Sequence, residues 1–238
     1  MSIATLSFFS VFRHSSIFYL PIGEDFYRQV FPRVKHPEIY YRTKIKLREY
    51  LESYGLEIVS METRTSRDIR TAGSLLRKIA ERDDPADLPE ITLAQKQGSA
   101  EEKNYYGGRW FEEYIFRTIK KHFGLKESEI GYNIRLKNKI SENEYDVIYI
   151  YRDQICIVEC KAFFGRANVK GKTEQALYKL AALEKDFGIK AKTVFITTFD
   201  LQKHNFQEGQ TLIKRASTLK IKFFQKREVI NHSFLNML

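Results

Sequence analysis

The 238-residue chain has only two cysteines and five histidines, and nowhere a long apolar run. Cys156 and Cys160 lie four residues apart on one predicted strand, a span of about 13 Å that no disulfide bridges. A chain without a cystine framework suits a reducing compartment, and the cytoplasm is the expected location. His14, His36, His122, His204 and His232 are scattered along the sequence, which leaves no readable zinc site. No stretch approaches the roughly 18 apolar residues that a membrane span requires. Residues 1–12 are briefly apolar, yet they lack the basic start and small-residue cleavage site of a secretory signal. Internal repeats and low-complexity tracts are missing as well.

What the chain has in excess is positive charge. Forty Lys and Arg stand against 30 Asp and Glu, for a net charge of +10. Such an excess favours a polyanionic partner, whose phosphates would dominate the affinity. Arg166, Lys170 and Lys172 form one basic group, and Lys214, Arg215, Lys220, Lys222, Lys226 and Arg227 a second. Solvated surface lysines that bind nothing specific are the ordinary alternative. Aromatic residues reach 14%, but Tyr and Phe at alternate strand positions more often fill a core than stack on bases.

The most informative stretch is 143–161. Residues 147–151 (Val-Ile-Tyr-Ile-Tyr) and 155–158 (Ile-Cys-Ile-Val) are β-branched and aromatic runs separated by Arg152, Asp153 and Gln154, which predicts a hairpin. A loop of two or four residues pairs positions whose numbers sum to 305. In that register Asp146 faces Glu159, with Cβ atoms about 4.5–5.5 Å apart. Alternation then puts Glu159 and Lys161 on one face and Cys160 on the other. Arg-Asp is not a favoured tight-turn pair, and a three-residue loop would shift the register and break the arrangement. Two facing carboxylates repel unless a proton or cation lies between them, and hard oxygen donors suit Mg²⁺ or Mn²⁺. Carboxylates holding such an ion beside a lysine are the equipment of metal-assisted phosphodiester hydrolysis, with Lys161 placed to orient water or stabilise charge on the phosphate. Acids and lysines also alternate on ordinary surface strands, so the motif alone does not decide.

A third acid precedes it. Gly107 and Gly108 open a predicted helix running to about Phe123 and closed by Gly124. Positions 112, 115, 116, 119 and 123 form one stripe at helical spacing, and all but Glu112 are apolar. Glu112 is therefore expected to point towards the sheet, and Glu113 to lie nearer Arg117 and Lys120. Both also fit as first-turn acids complementing the helix dipole. Downstream, an amphipathic helix is predicted over 173–187, a strand over 192–198, a helix over about 208–217 and a last strand over 219–224. With a first strand over 132–136 the order is α-β-β-β-α-β-α-β, an α/β fold with a mixed central sheet flanked by helices.

This order, with the runs Gly107-Gly108-x-Trp110-x-Glu112-Glu113, Asn143-Glu144-x-Asp146-Val147, Glu159-Cys160-Lys161 and Leu177-Tyr178-Lys179-Leu180-x-x-Leu183, resembles the PD-(D/E)XK (restriction-endonuclease-like) superfamily. More narrowly, 107–200 is similar to the nuclease domain of the CARF-linked effectors of type III CRISPR systems. The resemblance implies Asp146, Glu159 and Lys161 as the catalytic set, with Glu112, Asp146 and Glu159 as metal ligands and Glu144 and Gln175 in support. It implies Mg²⁺ or Mn²⁺, cleavage of DNA, RNA or both, a homodimer, and control by a cyclic oligoadenylate bound to a separate sensor.

Residues 1–36 faintly resemble the last part of a CARF sensor and are expected to be its remnant, the amino-terminal sensor being truncated. Residues 37–82 are expected as a helical or winged-helix-like connector, with helices over 43–54 and 66–81 and a short strand over 55–60. Residues 83–104 are expected as an exposed linker, and 105–238 as the nuclease domain. A restriction- or junction-resolving-type endonuclease on the same fold is one alternative. A non-catalytic nucleic-acid-binding module with a relic site is another.

Overall fold

A computed structural model describes residues 46–65, 69–81, 88–152, 154–163, 168–186, 191–201 and 206–238, side chains 69–71, 184–186 and 206 excepted. The chain divides at Ile45/Lys46 into two units. The first, with the expected sensor remnant, lies outside the described residues. The second is Lys46–Leu238.

The alternating and apolar runs of the centre form a six-stranded sheet. Strands β1 (Glu57–Glu62), β2 (Ile130–Lys137), β3 (Glu142–Tyr151), β4 (Gln154–Lys161), β5 (Lys192–Thr197) and β6 (Lys222–Phe224) lie side by side in chain order. The first four are antiparallel to their neighbours, whereas β4, β5 and β6 run parallel. Parallel neighbours need crossovers, and helices supply them. Between β4 and β5 runs a helix at Val169–Asp186, and between β5 and β6 one at Phe206–Thr218.

Ahead of β2 come α1 (Leu47–Ser53), α2 (Ile69–Ala80), α3 (Pro89–Gln97), α4 (Ala100–Asn104) and α5 (Trp110–Phe123). The crossover helices are then α6 and α7, and two short helices, α8 (Lys226–Ile230) and α9 (Phe234–Met237), close the chain. Glycines end two of the helices where the backbone must turn left-handed: Gly124 at φ 63° caps α5, and Gly55 at φ 75° follows α1.

One sheet face packs on α5 and α2. Val147, Tyr149, Cys156, Val158, Cys160, Val194 and Ile196 share a core with Trp110, Phe111, Ile115 and Ile119 of α5, and with Leu75, Leu76 and Ile79 of α2. Helices α8 and α9 add Val229, Phe234 and Leu235 to it. Alternation turns Asp146, Ile148, Ile157 and Glu159 to the opposite face. There α6 lies against β4 and β5 and buries Ala176, Leu177, Leu180 and Leu183.

Three expectations about boundaries need correction. The expected linker 83–104 contains α3, with proline at its first turn and Leu88, Ile91 and Ala94 buried. It also contains α4, begun by a Ser99–Glu102 capping box. Polar composition hid two helices whose start signals were present. Nor are the described residues of the expected connector, 46–65 and 69–81, separate from the nuclease fold: β1 pairs with β2, so the sheet begins some 50 residues before the expected boundary at 105. The final strand is shorter than expected, because Leu219 and Lys220 form a turn with Lys220 at φ 59°.

Candidate active site

The hairpin places its acids where the sheet divides. Strands β3 and β4 pair from Tyr151–Gln154 to Val147–Val158, every pair summing to 305, around a two-residue loop in which Arg152 takes φ 51°. Asp153 lies outside the described residues. Beyond Val147–Val158 the strands part. Strand β3 stays with β2 as far as Glu142–Lys137, and β4 stays with β5 as far as Lys161–Thr197. Asp146 and Glu159, the next positions in the register, sit at this fork. The amide of Cys160, freed from the β3 ladder, donates to Asp146 Oδ2 at 2.6 Å. On the other side the β2–β3 register passes from Tyr132–Val147 to Ile134–Tyr145, so Asn133 stands opposite Asp146 without a ladder pair and at φ 47°.

The two acids are buried, Asp146 at 6% and Glu159 at 2% exposure, and a buried charge demands a partner. Lys161 supplies one to both: its Nζ is 2.6 Å from Glu159 Oε1 and 3.6 Å from Asp146 Oδ2. It also donates to the Cys160 carbonyl at 3.2 Å. Lys179, on α6, donates to Glu159 Oε2 at 3.1 Å and Oε1 at 3.4 Å.

Negative charge is still crowded here. Burial and then the Glu159 charge push the Asp146 carboxyl up to about 6, against the pull of Lys161 and the Cys160 amide. Burial and then Asp146 push Glu112 up to about 8, with Glu144 and Glu159 adding to the rise and Lys161 opposing it. For Lys161, burial alone would lower the pKa, but Asp146 and Glu159 outweigh it and raise it. Burial, then Asp146, holds the Cys160 thiol well above its ordinary value, so it stays neutral and unreactive.

The fork brings Asp146, Glu159 and Lys161 into contact, and Glu112 into their electrostatic field from the start of α5. Its neighbour Glu113 is the more buried of the pair, at 2%, with Arg109 Nε 3.6 Å and the Tyr132 hydroxyl 3.5 Å from its Oε1. Glu144 is exposed, lies opposite Arg135, and acts on Glu112 through its charge. Gln175 is exposed one turn before Lys179 and makes no contact with the acids among the described residues. Lys170 pairs with Glu208 at 3.4 Å and Lys172 is exposed, while Arg166 lies outside the described residues.

Lys179 is the residue that sequence reasoning missed. It lies three after Ala176 and four before Leu183, on the flank of the buried stripe of α6. A lysine so placed must reach an acid of the sheet it faces, and that was the available signal.

The donor chemistry at the fork fits a hard divalent cation, since every charged acceptor is a carboxylate oxygen and the acids raise one another's pKa. Among the described residues no three His, Cys, Asp or Glu side chains already converge as a ligand set. The lysine ammoniums instead occupy the Glu159 oxygens.

The family described as "Card1-like, endonuclease domain" matches residues 99–231, and the family described as "Card1 CARF domain" matches residues 1–50. Among solved structures, Can2 from Sulfobacillus thermosulfidooxidans in complex with cyclic tetra-adenylate is similar at 21% identity and a TM-score of 0.56, over 81% of this chain and 62% of that one. Protein VC1899 from Vibrio cholerae is similar at 16% identity and a TM-score of 0.56, over 83% of this chain and 62% of that one. The chain thus spans under two thirds of the length of either, and at such identities the likeness is one of fold. No curated protein matches.

Proposed function

Because the chain belongs to the Card1-like endonuclease family, we propose that it is a metal-dependent nuclease of CRISPR-associated antiviral defence, hydrolysing phosphodiester bonds of DNA, RNA or both. The observation that carries this reading is the buried pair Asp146 and Glu159 at the fork, with the Lys161 ammonium between them. Glu112, Asp146 and Glu159 would hold Mg²⁺ or Mn²⁺, which when bound supplies a Lewis acid that polarises a phosphoryl oxygen and acidifies a bound water.

The chain's own groups do the remaining work. Lys161, its side chain a third exposed, stabilises charge that grows on the phosphate oxygens. Lys179 holds the Glu159 carboxylate from the helix side. Without metal, burial and Asp146 hold the Glu112 carboxyl up, so binding the cation there would release its proton. Arg166, Lys170 and Lys172 are assigned to gripping the backbone of the nucleic acid, and Glu144 and Gln175 to supporting the rim.

The match of 1–50 to the Card1 CARF domain supports control by a cyclic oligoadenylate, the class of ligand bound in the Can2 complex. A cytoplasmic homodimer completes the reading. Both cysteines are free and buried, and no described helix is long and apolar enough to cross a membrane.

The test incubates purified protein with supercoiled plasmid and with single-stranded RNA, in Mn²⁺ or EDTA, with and without cyclic tetra-adenylate. Cleavage that requires Mn²⁺ and is lost in Asp146→Ala and Lys161→Ala is the expected result. Cleavage surviving both substitutions unchanged would overturn the assignment.

A further inference from the structure

Behind the fork lies a second polar cluster, built around Glu62 at the end of β1. Its Oε2 accepts from Arg109 Nη2 at 2.5 Å and from the Tyr132 hydroxyl at 2.7 Å, and its Oε1 accepts from Asn133 Nδ2 at 2.6 Å. Each partner leads to the site by one step. Asn133 is the residue opposite Asp146, in a left-handed conformation that leaves that pair out of the ladder. Arg109 ends the wide turn Tyr105–Arg109 and stands three residues before Glu112 on the chain that becomes α5. Tyr132 pairs with Val147, the neighbour of Asp146.

We infer that Glu62 is a positioning residue of the candidate active site, through which β1 fixes both Asp146 and Glu112. The inference rests on the nuclease reading for what is positioned. A carboxylate that receives three donors from two different elements ties those elements to one point. Here the elements are the β2 residue facing one acid and the turn that launches the helix bearing another. Asparagine takes the left-handed conformation more readily than other residues with a side chain, and the bond from Asn133 Nδ2 to Glu62 fixes its side chain there. Groups standing behind metal-ligating carboxylates orient them in the same manner. Glu62 lies outside both family-matched segments, 1–50 and 99–231.

The test compares wild type with Glu62→Ala, which removes all three acceptor contacts, Glu62→Gln, which keeps an acceptor oxygen without the charge, and Ile58→Ala, which loosens β1 away from the cluster. Two readouts are taken below the melting temperature of every variant: steady-state cleavage in Mn²⁺, and the emission of Trp110. That residue is the chain's one tryptophan, fully buried and next to Arg109.

Glu62→Ala is expected to lower kcat by about 10- to 100-fold with KM within about twofold, and to shift Trp110 emission to the red. Glu62→Gln should recover part of both effects, and Ile58→Ala should lower the melting temperature with kcat and emission unchanged. Wild-type kcat and emission in Glu62→Ala, or equal losses in Ile58→Ala, would overturn the inference. A wild-type protein that cleaves nothing sinks the nuclease reading instead. The Trp110 comparison then decides the positioning role by itself, an unshifted Glu62→Ala spectrum being the negative result.

Discussion

The Nζ of Lys179 lies 3.1 Å from Glu159 Oε2, so this buried carboxylate is held from the helix behind it as well as by Lys161 on its own strand. The two lysines approach from different elements, β4 and α6. Their roles are therefore separable by substitution.

Lys179→Met leaves Glu159 with Lys161 alone. Because more than a third of the Lys179 side chain is exposed, the lost ion pair should cost no more than about 1 kcal/mol of stability. The loss of orientation should lower kcat by about 10-fold or more, and Lys179→Arg should restore most of it. Urea unfolding and steady-state kinetics on the same preparations check both parts. An unchanged kcat in Lys179→Met removes the residue from the site.

Lys161→Ala removes the cation shared by both acids. Activity should fall by about 10²- to 10³-fold, the usual loss when a group that stabilises transition-state charge is deleted. Circular dichroism should report an intact fold at pH 5. The melting temperature at pH 8 should fall further than at pH 5, since the unscreened acids can share protons only at the lower pH.

Proton binding at the fork sets the pH dependence of stability without metal. Asp146 rises from 3.8 to about 6 and Glu112 from 4.5 to about 8 on folding, so both bind protons more tightly folded than unfolded. Their contribution is fully present below pH 3.8 and 4.5 and is lost as pH rises through about 6 and about 8. In EDTA, unfolding free energy should therefore decline between pH 6 and 8, and Glu112→Gln should flatten that decline. Urea titrations at four or five pH values test it; a wild-type curve as flat as the variant's contradicts a half-buried Glu112 carboxyl crowded by Asp146.

Loop length at the hairpin should be critical. Inserting one glycine after Arg152 makes the loop three residues and offsets β3 against β4 by one position, which turns one strand's acid away from the other. The variant should lose cleavage altogether, whereas two inserted glycines should return the pairing parity and part of the activity. Equal activity in both insertions would mean that the acids need not face each other.

The parts of this arrangement that were legible in the sequence are those set by near neighbours. Two β-branched runs and a short break between them imposed the 305 register, and Gly124 marked the end of α5. Helical spacing brought Glu112 near Asp146, but it did not foresee that Glu113 would be the more deeply buried of the two. Long-range placement was illegible. Nothing in residues 57–62 announces a partner at 132–137, because an edge strand with a mixed burial pattern carries no periodic signal. Helices α3 and α4 bury few side chains, so their polar composition resembled a linker. Lys179 belonged to a motif noticed for its leucines, and its target became visible only once β4 was seen beneath α6.

The contacts that shape the fork also differ in how far apart their partners lie along the chain. The Cys160 amide meets Asp146 across 14 residues and Lys179 meets Glu159 across 20, whereas Asn133 meets Glu62 across 71. Short closures form readily and long ones slowly. Of these three closures the Glu62 clamp therefore costs the chain the most entropy. A nick before residue 63 would leave the chemistry assembled and its alignment unfinished.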